Sequence, residues 1–195
     1  MNYLGHLFFS GSDKELMYAN LFGDYVKGSD LSAYPLLIQK GIKLHRTIDF
    51  YIDNHDEVKK LKKVMYEWMP KVSGIAIDLL FDHLLAKNWR MYSQLEYQSF
   101  LEDFYAYQPQ LFDQYPIAFK SFIENLKKYR WMNVYHQEFG LIKMSEGVSR
   151  KISFDNKLTL LPDFYKMHES KVNGIFNLFM QDAVNYFSDF NQEEN

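Results

Sequence analysis

Residues 41–55 read Gly41-Ile-Lys-Leu-His-Arg-Thr-Ile-Asp-Phe-Tyr-Ile-Asp-Asn-His55, and this stretch organises the interpretation of the chain. Polar residues four apart form one row along a helix, at His45, Asp49 and Asp53. Apolar residues form a second row, offset by one residue or roughly 100°, at Leu44, Ile48 and Ile52. The polar row therefore borders the face that is expected to be buried, whereas solvated charges usually lie opposite it.

An imidazole and two carboxylates at the edge of a core need partners, because burying an unpaired charge is costly. Two partners are available to this row, a bound metal ion or the neighbouring Arg46. The alternative is an ordinary helix with hydrogen bonds between residues four apart and one ion pair. The stretch by itself leaves both interpretations open.

The composition argues against several classes of protein, including disulfide-rich, nucleic-acid-binding and membrane proteins. The 195 residues fit one domain with a substantial core. The chain has no Cys, which excludes thiolate ligands and a disulfide framework and is compatible with the cytoplasm. A formal net charge of −3 argues against general affinity for nucleic acid. The first ten residues lack a basic segment and no apolar run is long enough for a membrane span, so neither a signal peptide nor a membrane partner is expected.

The pattern along the chain predicts an all-α, single-domain bundle over residues 1–195, with a frayed tail at about 188–195. Gly and Pro are sparse, and the alternation typical of strands is nearly absent. Ser12 or Asp13 is expected to cap the first helix, and Asn54 or Asp56 the third. The predicted helices cover approximately 13–25, 35–53, 56–69, 75–90, 94–107, 109–130, 132–144 and 161–187, with a loop at 147–153.

A second group of carboxylates lies on the fourth predicted helix. Asp78 and Asp82 are placed on its most apolar face. Two neighbouring acids raise each other's pKa unless a cation intervenes, and here the cation is Lys43, Arg46 or a metal. His83 follows Asp82 directly, so the two side chains point about 100° apart and cannot both face one site squarely. His83 is therefore either a packing or capping residue, or a separate catalytic group.

His6 and Asp24 complete the inventory of polar residues near these helices. His6 stands alone in an apolar segment, where a histidine is usually a hydrogen-bonded core residue. Imidazole and carboxylate ligands without thiolate suit Mn, Fe, Mg or Zn, and a mixed nitrogen and oxygen set favours Mn or Fe. Such an ion can lower the pKa of water from about 16 to roughly 7 for attack on a phosphoryl group.

Four segments in register resemble the acyl carrier protein phosphodiesterase family, a divergent branch of the HD phosphohydrolases. They read MNYLGH at 1–6, ANLFGDYVKG at 19–28, GIKLHRTID at 41–49 and DLLFDHLLAKNW at 78–89. A shorter segment, GVSRK at 147–151, resembles a further motif of this family. The resemblance implies a helical, manganese-dependent enzyme with an HD-phosphohydrolase-like fold. Its expected reaction is hydrolysis of holo-acyl carrier protein to apo-acyl carrier protein and 4′-phosphopantetheine.

Carried over residue by residue, the resemblance implies five metal ligands and two catalytic groups. The ligands would be His6, Asp24, His45, Asp49 and Asp82. Arg46 would contact the phosphate, since a planar guanidinium suits a diester oxygen better than an ammonium group does. His83 would be the acid or proton shuttle for the leaving serine. One departure is the order Asp82-His83, the reverse of the His-Asp pair of HD proteins, which leaves the number of metals open.

The resemblance also implies a small, strongly acidic protein partner, although this chain is itself net acidic. Attraction would then come from a local basic patch. The expected substrate-binding patch lies on the third predicted helix and consists of Lys59, Lys60, Lys62 and Lys63. The alternative is a solvated face balanced by Asp56 and Glu57. Two smaller basic clusters are Lys127, Lys128 and Arg130, and Arg150 with Lys151.

Two other functions fit the same residues. One is a metallophosphohydrolase that acts on a nucleotide or another small phosphodiester. The other is a helical binding module without catalysis. Comparing turnover of holo-acyl carrier protein with that of a cyclic dinucleotide distinguishes the carrier protein phosphodiesterase from the small-diester enzyme. Whether the purified protein retains a transition metal distinguishes an enzyme from a binding module.

Overall fold

The computed structural model describes the backbone of residues 1–193 and the side chains of residues 1–188. In this part of the chain there are nine α-helices, several short 3₁₀ turns and no strand, which confirms the all-α prediction. One hydrophobic core joins the helices. The helices are α1 (Tyr3–Phe9), α2 (Lys14–Phe22), α3 (Leu36–Asn54), α4 (Asp56–Trp68), α5 (Ser73–Lys87), α6 (Tyr97–Ala106), α7 (Ile117–Tyr129), α8 (Glu138–Ser149) and α9 (Leu161–Glu193).

The predicted boundaries hold best for the long helices α3, α4 and α5. Helix α1 was not predicted, because seven residues are too few to show a helical period. The helix predicted over 109–130 begins only at Ile117, since Pro116 cannot continue a helix and a 3₁₀ turn precedes it. Helix α8 begins six residues later than predicted and ends at Ser149, so it includes the start of the predicted loop.

The last helix continues from Leu161 to Glu193 through a kink at His168. The predicted fraying is therefore wrong for residues 188–193, which are helical, and residues 194–195 lie outside the described residues. In the part of the chain that the structure describes, no helix has the length and hydropathy needed to cross a membrane.

The helix caps agree with the sequence at one position and differ at another. Asp13 caps α2, and its carboxylate accepts a hydrogen bond of 3.1 Å from the Leu16 N–H, as predicted. The predicted cap of α4 by Asn54 or Asp56 is wrong, because His55 occupies the cap position and makes no side-chain hydrogen bond there. Asp56 lies in the first turn of α4 instead, where a carboxylate favours the positive end of the helix dipole.

Glycine allows α2 and the turn after it to pack directly against α3. A Cβ atom on Gly41 would lie 2.3 Å from the Ala19 Cβ and 2.4 Å from the Ala19 carbonyl carbon. A Cβ atom on Gly23 would lie 2.3 Å from the His45 Cγ. Both distances are far shorter than van der Waals contact, so any larger residue would separate these elements. The two glycines therefore bring His45 on α3 against the 3₁₀ turn Gly23–Tyr25, which carries Asp24.

Candidate metal centre

Three elements place two histidines and two aspartates in one cluster. His6 comes from α1, Asp24 from the turn after α2, and His45 and Asp49 from α3. The His6 Nε2 lies 3.3 Å from the Asp49 Oδ1. The His45 Nε2 lies 3.1 Å from the Asp49 Oδ2 and 3.3 Å from the Asp24 Oδ1. The two imidazole rings stack with their centroids 4.1 Å apart. These contacts bring together four of the five expected ligands, all except Asp82.

The hydrogen bonds of Asn20 fix the tautomer of His6. The Asn20 side-chain amide donates to the His6 carbonyl oxygen at 3.0 Å and to the Ser10 Oγ at 2.9 Å. Its Oδ1 is then left to accept from the His6 Nδ1, at 2.9 Å. A neutral His6 therefore carries its proton on Nδ1 and directs the Nε2 lone pair toward Asp49. Histidines that bind metals commonly donate their second N–H to such an oxygen.

Sequence reasoning assigned no role to Asn20. The available signal was its position four residues before Asp24, on the helix that leads to it. An asparagine with no accessible surface must satisfy its amide inside the protein, but the sequence does not say which partner it has.

Burial and the neighbouring carboxylates give the two histidines different charge states in the metal-free protein. Burial lowers the pKa of His6, although a hydrogen bond to Asp49 acts against it. Burial also acts to lower the pKa of His45, but hydrogen bonds and charges of Asp24 and Asp49 outweigh it and raise that pKa to about 9. The histidines in turn lower the pKa of both aspartates despite their burial. The cluster at neutral pH thus combines one imidazolium, one neutral imidazole and two carboxylates.

The residues of this cluster fit a divalent metal ion. The two imidazole nitrogens and a carboxylate oxygen of Asp49 lie within 4.8 Å of one another. The side chains of His6 and His45 are almost completely buried, whereas those of Asp49 and Asp24 are 46% and 60% exposed. The cluster therefore opens to solvent on its carboxylate side. A neutral imidazole nitrogen that faces a carboxylate oxygen at 3.3 Å, with its own proton held elsewhere, is an arrangement that a cation stabilises.

Asp82 has a different position from the one expected of a ligand. Its side chain is fully buried. The Oδ1 accepts from the backbone N–H groups of Asn2 at 3.2 Å and Gly5 at 3.0 Å, and the Oδ2 accepts from that of Leu4 at 2.8 Å. These groups belong to the start of α1, whose own cap residue provides no side-chain hydrogen bond. Asp82 thus anchors the helix that carries His6, and its oxygens are occupied by backbone donors.

Arg46 contacts backbone carbonyl groups in the structure, and its expected contact with phosphate stays a prediction. Its Nη2 donates to the Val26 carbonyl oxygen at 3.2 Å and to the Gly28 carbonyl oxygen at 2.7 Å. These carbonyl groups follow the turn that carries Asp24. Because Arg46 follows His45 by one residue on α3, its side chain leaves the helix about 100° away from the imidazole. Arg46 therefore holds the segment after Asp24 against α3.

His83 lies outside the cluster, contrary to its expected role as proton shuttle there. Its ring is buried, and the Nδ1 donates to the Tyr135 carbonyl oxygen at 2.6 Å. It lines a separate cavity of about 230 Å³ that also contains Lys87, His136 and Tyr165. Burial lowers the pKa of His83 to about 4, so the ring is neutral at physiological pH. The offset of about 100° from Asp82 directs it away from α1.

The lysines expected to bind the substrate are mostly paired with acids on the same side of the protein. Lys59 lies 3.9 Å from Asp56, Lys60 forms a salt bridge with Glu57, and Lys62 lies 3.0 Å from Asp53. Lys63 is exposed, and no salt bridge to it occurs among the described residues. The positive charge of α4 is thus largely compensated, which favours the alternative of a balanced solvated face.

Comparisons with known proteins agree on one family. The family model described as acyl carrier protein phosphodiesterase matches residues 1–183. A protein of that name from Enterobacter sp. (strain 638) is 28% identical over 152 residues, 77% of this chain and 79% of the relative. One from Pectobacterium atrosepticum is 31% identical over 136 residues, 69% and 70% of the two chains. One from Escherichia coli O6:H1 is 32% identical over 132 residues, 67% and 66% of the two chains. No solved structure matches the chain significantly.

Proposed function

The chain belongs to the acyl carrier protein phosphodiesterase family, and we propose that it hydrolyses the phosphodiester of holo-acyl carrier protein. The products would be apo-acyl carrier protein with a free serine and 4′-phosphopantetheine. The observation that carries the proposal is the convergence of His6, His45 and Asp49 on one point at the protein surface. We place the reaction in the cytoplasm, with which the absence of Cys is compatible.

We propose that a divalent ion, manganese in the first instance, is held by His6, His45 and Asp49, with Asp24 beside them. The nitrogen and oxygen donors without thiolate suit Mn²⁺ or Fe²⁺, and also Mg²⁺ or Zn²⁺. When bound, the ion would lower the pKa of water and neutralise charge on the phosphoryl oxygens. The lowered pKa values of Asp24 and Asp49 keep both carboxylates ionised at neutral pH, as such an ion requires.

The surrounding residues would position these groups. Asn20 keeps the proton on the His6 Nδ1, so that the Nε2 is free to bind. Asp82 fixes the first turn of α1 through the N–H groups of Leu4 and Gly5, the two residues directly before His6. The half-exposed Asp24 would accept a hydrogen bond from the attacking water on the solvent side. The leaving serine oxygen would take its proton from solvent on that side, since His83 points into another cavity.

The experiment that tests the proposed function follows the intact mass of holo-acyl carrier protein during incubation with this protein and Mn²⁺. We expect the carrier to lose the mass of 4′-phosphopantetheine and the free prosthetic group to appear in solution. A cyclic dinucleotide is the parallel substrate. Turnover of the dinucleotide with an unchanged carrier would replace the proposal by a small-diester phosphohydrolase, and turnover of neither substrate, with no metal retained, would indicate a binding module.

A further inference from the structure

A groove of about 590 Å³ opens beside the start of α1, between the segment after α7 and the outer face of α8. Much of its lining is aromatic, which provides apolar area with polar edges. The aromatic side chains are those of Tyr3, Tyr129, Trp131, Tyr135 and Phe139. A groove of this size and composition accommodates a long, mostly apolar ligand group.

The charged residues in the lining are all basic. They are Arg130, Lys143, Arg150 and Lys151, and none of the described residues that line the groove is Asp or Glu. Arg130 pairs with Glu102, and Lys143 and Arg150 lie 3.2 Å and 4.0 Å from the single carboxylate of Glu146. No salt bridge to Lys151 occurs among the residues that the structure describes. Four cations thus face two nearby acids, whereas three lysines of α4 each have an acid of their own.

The groove adjoins the candidate metal centre. Tyr3 lines the groove and His6 belongs to the centre, and these residues lie three apart on the same side of α1. Aromatic contacts also connect the groove with Tyr25, which lies in the same turn as Asp24. The Phe122 ring contacts those of Tyr3, Tyr25 and Trp131, at centroid distances of 5.1, 6.1 and 6.4 Å. The groove and the centre are therefore separated by about one helical turn, roughly 5 Å along α1.

We propose that this groove is the docking surface for the carrier protein. The basic rim binds the acidic surface of the carrier, and the aromatic lining holds the extended pantetheine arm so that its phosphodiester reaches the metal centre. This inference rests on the proposed function and assigns its partner to the α8 side of the protein rather than to α4. Excess positive charge on the rim matches an acidic protein. The volume and aromatic lining of the groove match an extended arm.

A filled groove tests the inference directly. Gly147 lies on α8 in the groove lining, and a Cβ atom there would meet no atom within 4 Å. Gly147→Leu therefore fills the groove without strain, and leucine is a better helix former than glycine. Gly174 on α9 has the same open surroundings and does not line the groove, so Gly174→Leu is the matched control. We expect Gly147→Leu to raise the KM for holo-acyl carrier protein roughly tenfold, and Gly174→Leu to leave it unchanged.

Charge reversal compares the two candidate surfaces. The groove variant is Lys143→Glu with Lys151→Glu, and the α4 variant is Lys59→Glu with Lys63→Glu. We expect the groove variant to raise KM and flatten its dependence on salt, because rim charges act mainly on association. Metal content should match the wild type for every variant, and thermal unfolding should show that every variant is folded.

The outcomes separate the inference from the proposed function. If Gly147→Leu and the Lys143→Glu, Lys151→Glu variant both hydrolysed the carrier with the wild-type KM, the groove would not be the docking surface, but the proposed function would stand. The same conclusion would follow if only the α4 variant had a raised KM. A wild type that holds metal but leaves the carrier intact would overturn the proposed function, and the docking surface with it.

Discussion

Replacing His45 with alanine should remove the bound divalent ion and lower hydrolysis of holo-acyl carrier protein by roughly a thousandfold or more, as expected when the main electrostatic stabilisation of a transition state is lost. The His45 Nε2 is the atom that joins both aspartates, at 3.1 and 3.3 Å. Its removal leaves two carboxylates with one imidazole. Metal content by mass spectrometry and turnover by the mass of the carrier measure the two losses on the same sample.

The matched control is His55→Ala. His55 follows the same helix, α3, but pairs with Asp182 on α9, at 3.2 Å, and belongs to no part of the cluster. This variant should keep its metal and its turnover. Circular dichroism should show that both variants remain helical. If His45→Ala kept a full complement of metal and hydrolysed the carrier normally, the cluster would not be the catalytic centre.

Asp82→Ala should destabilise the metal-free protein by at least about 2 kcal/mol, because each buried N–H group left without an acceptor costs about 1–3 kcal/mol. The buried N–H groups of Leu4 and Gly5 lose their acceptor together, and so does the part-buried N–H group of Asn2. Asp82→Asn keeps one acceptor oxygen, so it should lower the free energy of unfolding by less than Asp82→Ala does. Urea unfolding in the presence of a chelator measures the free energy of unfolding without any contribution from a metal.

The control for Asp82 is Asp53→Ala. Asp53 forms an exposed salt bridge with Lys62, so its removal should change the free energy of unfolding by less than about 1 kcal/mol. If Asp82 were a metal ligand and not an anchor of α1, its replacement would affect metal binding and not the stability of the metal-free protein. An Asp82→Ala protein that was as stable as the wild type without metal, yet bound none, would make Asp82 a ligand.

The helical period predicted the part of the centre that lies within one helix. A spacing of four residues brings His45 and Asp49 together on α3 wherever the rest of the chain lies. The helical spacing also indicates the ion pairs on α4, since Asp56 and Glu57 each precede a lysine by three residues. His6 and Asp24 were reached through the resemblance to a family, because contacts between elements leave no spacing in the sequence.

The contacts that the structure gives Asp82, Arg46 and His83 could not be predicted from the sequence, for a common reason. Each residue was correctly placed on its helix, but the period does not tell which neighbouring element lies opposite a side chain. The partners of Asp82 and Arg46 are backbone N–H and carbonyl groups, which every residue carries and no sequence pattern marks. The side chains of Asp82 and His83 point about 100° apart. Asp82 contacts α1 and His83 contacts the turn before α8 because of how these elements pack against α5.

Restoration of activity by metal is the measurement that tests the account most directly. Protein stripped with a chelator is titrated with Mn²⁺, and metal binding and release of 4′-phosphopantetheine from holo-acyl carrier protein are followed together. We expect no release without metal and a rise in release that parallels occupancy of the site formed by His6, His45 and Asp49. Full release by metal-free protein in excess chelator would contradict it.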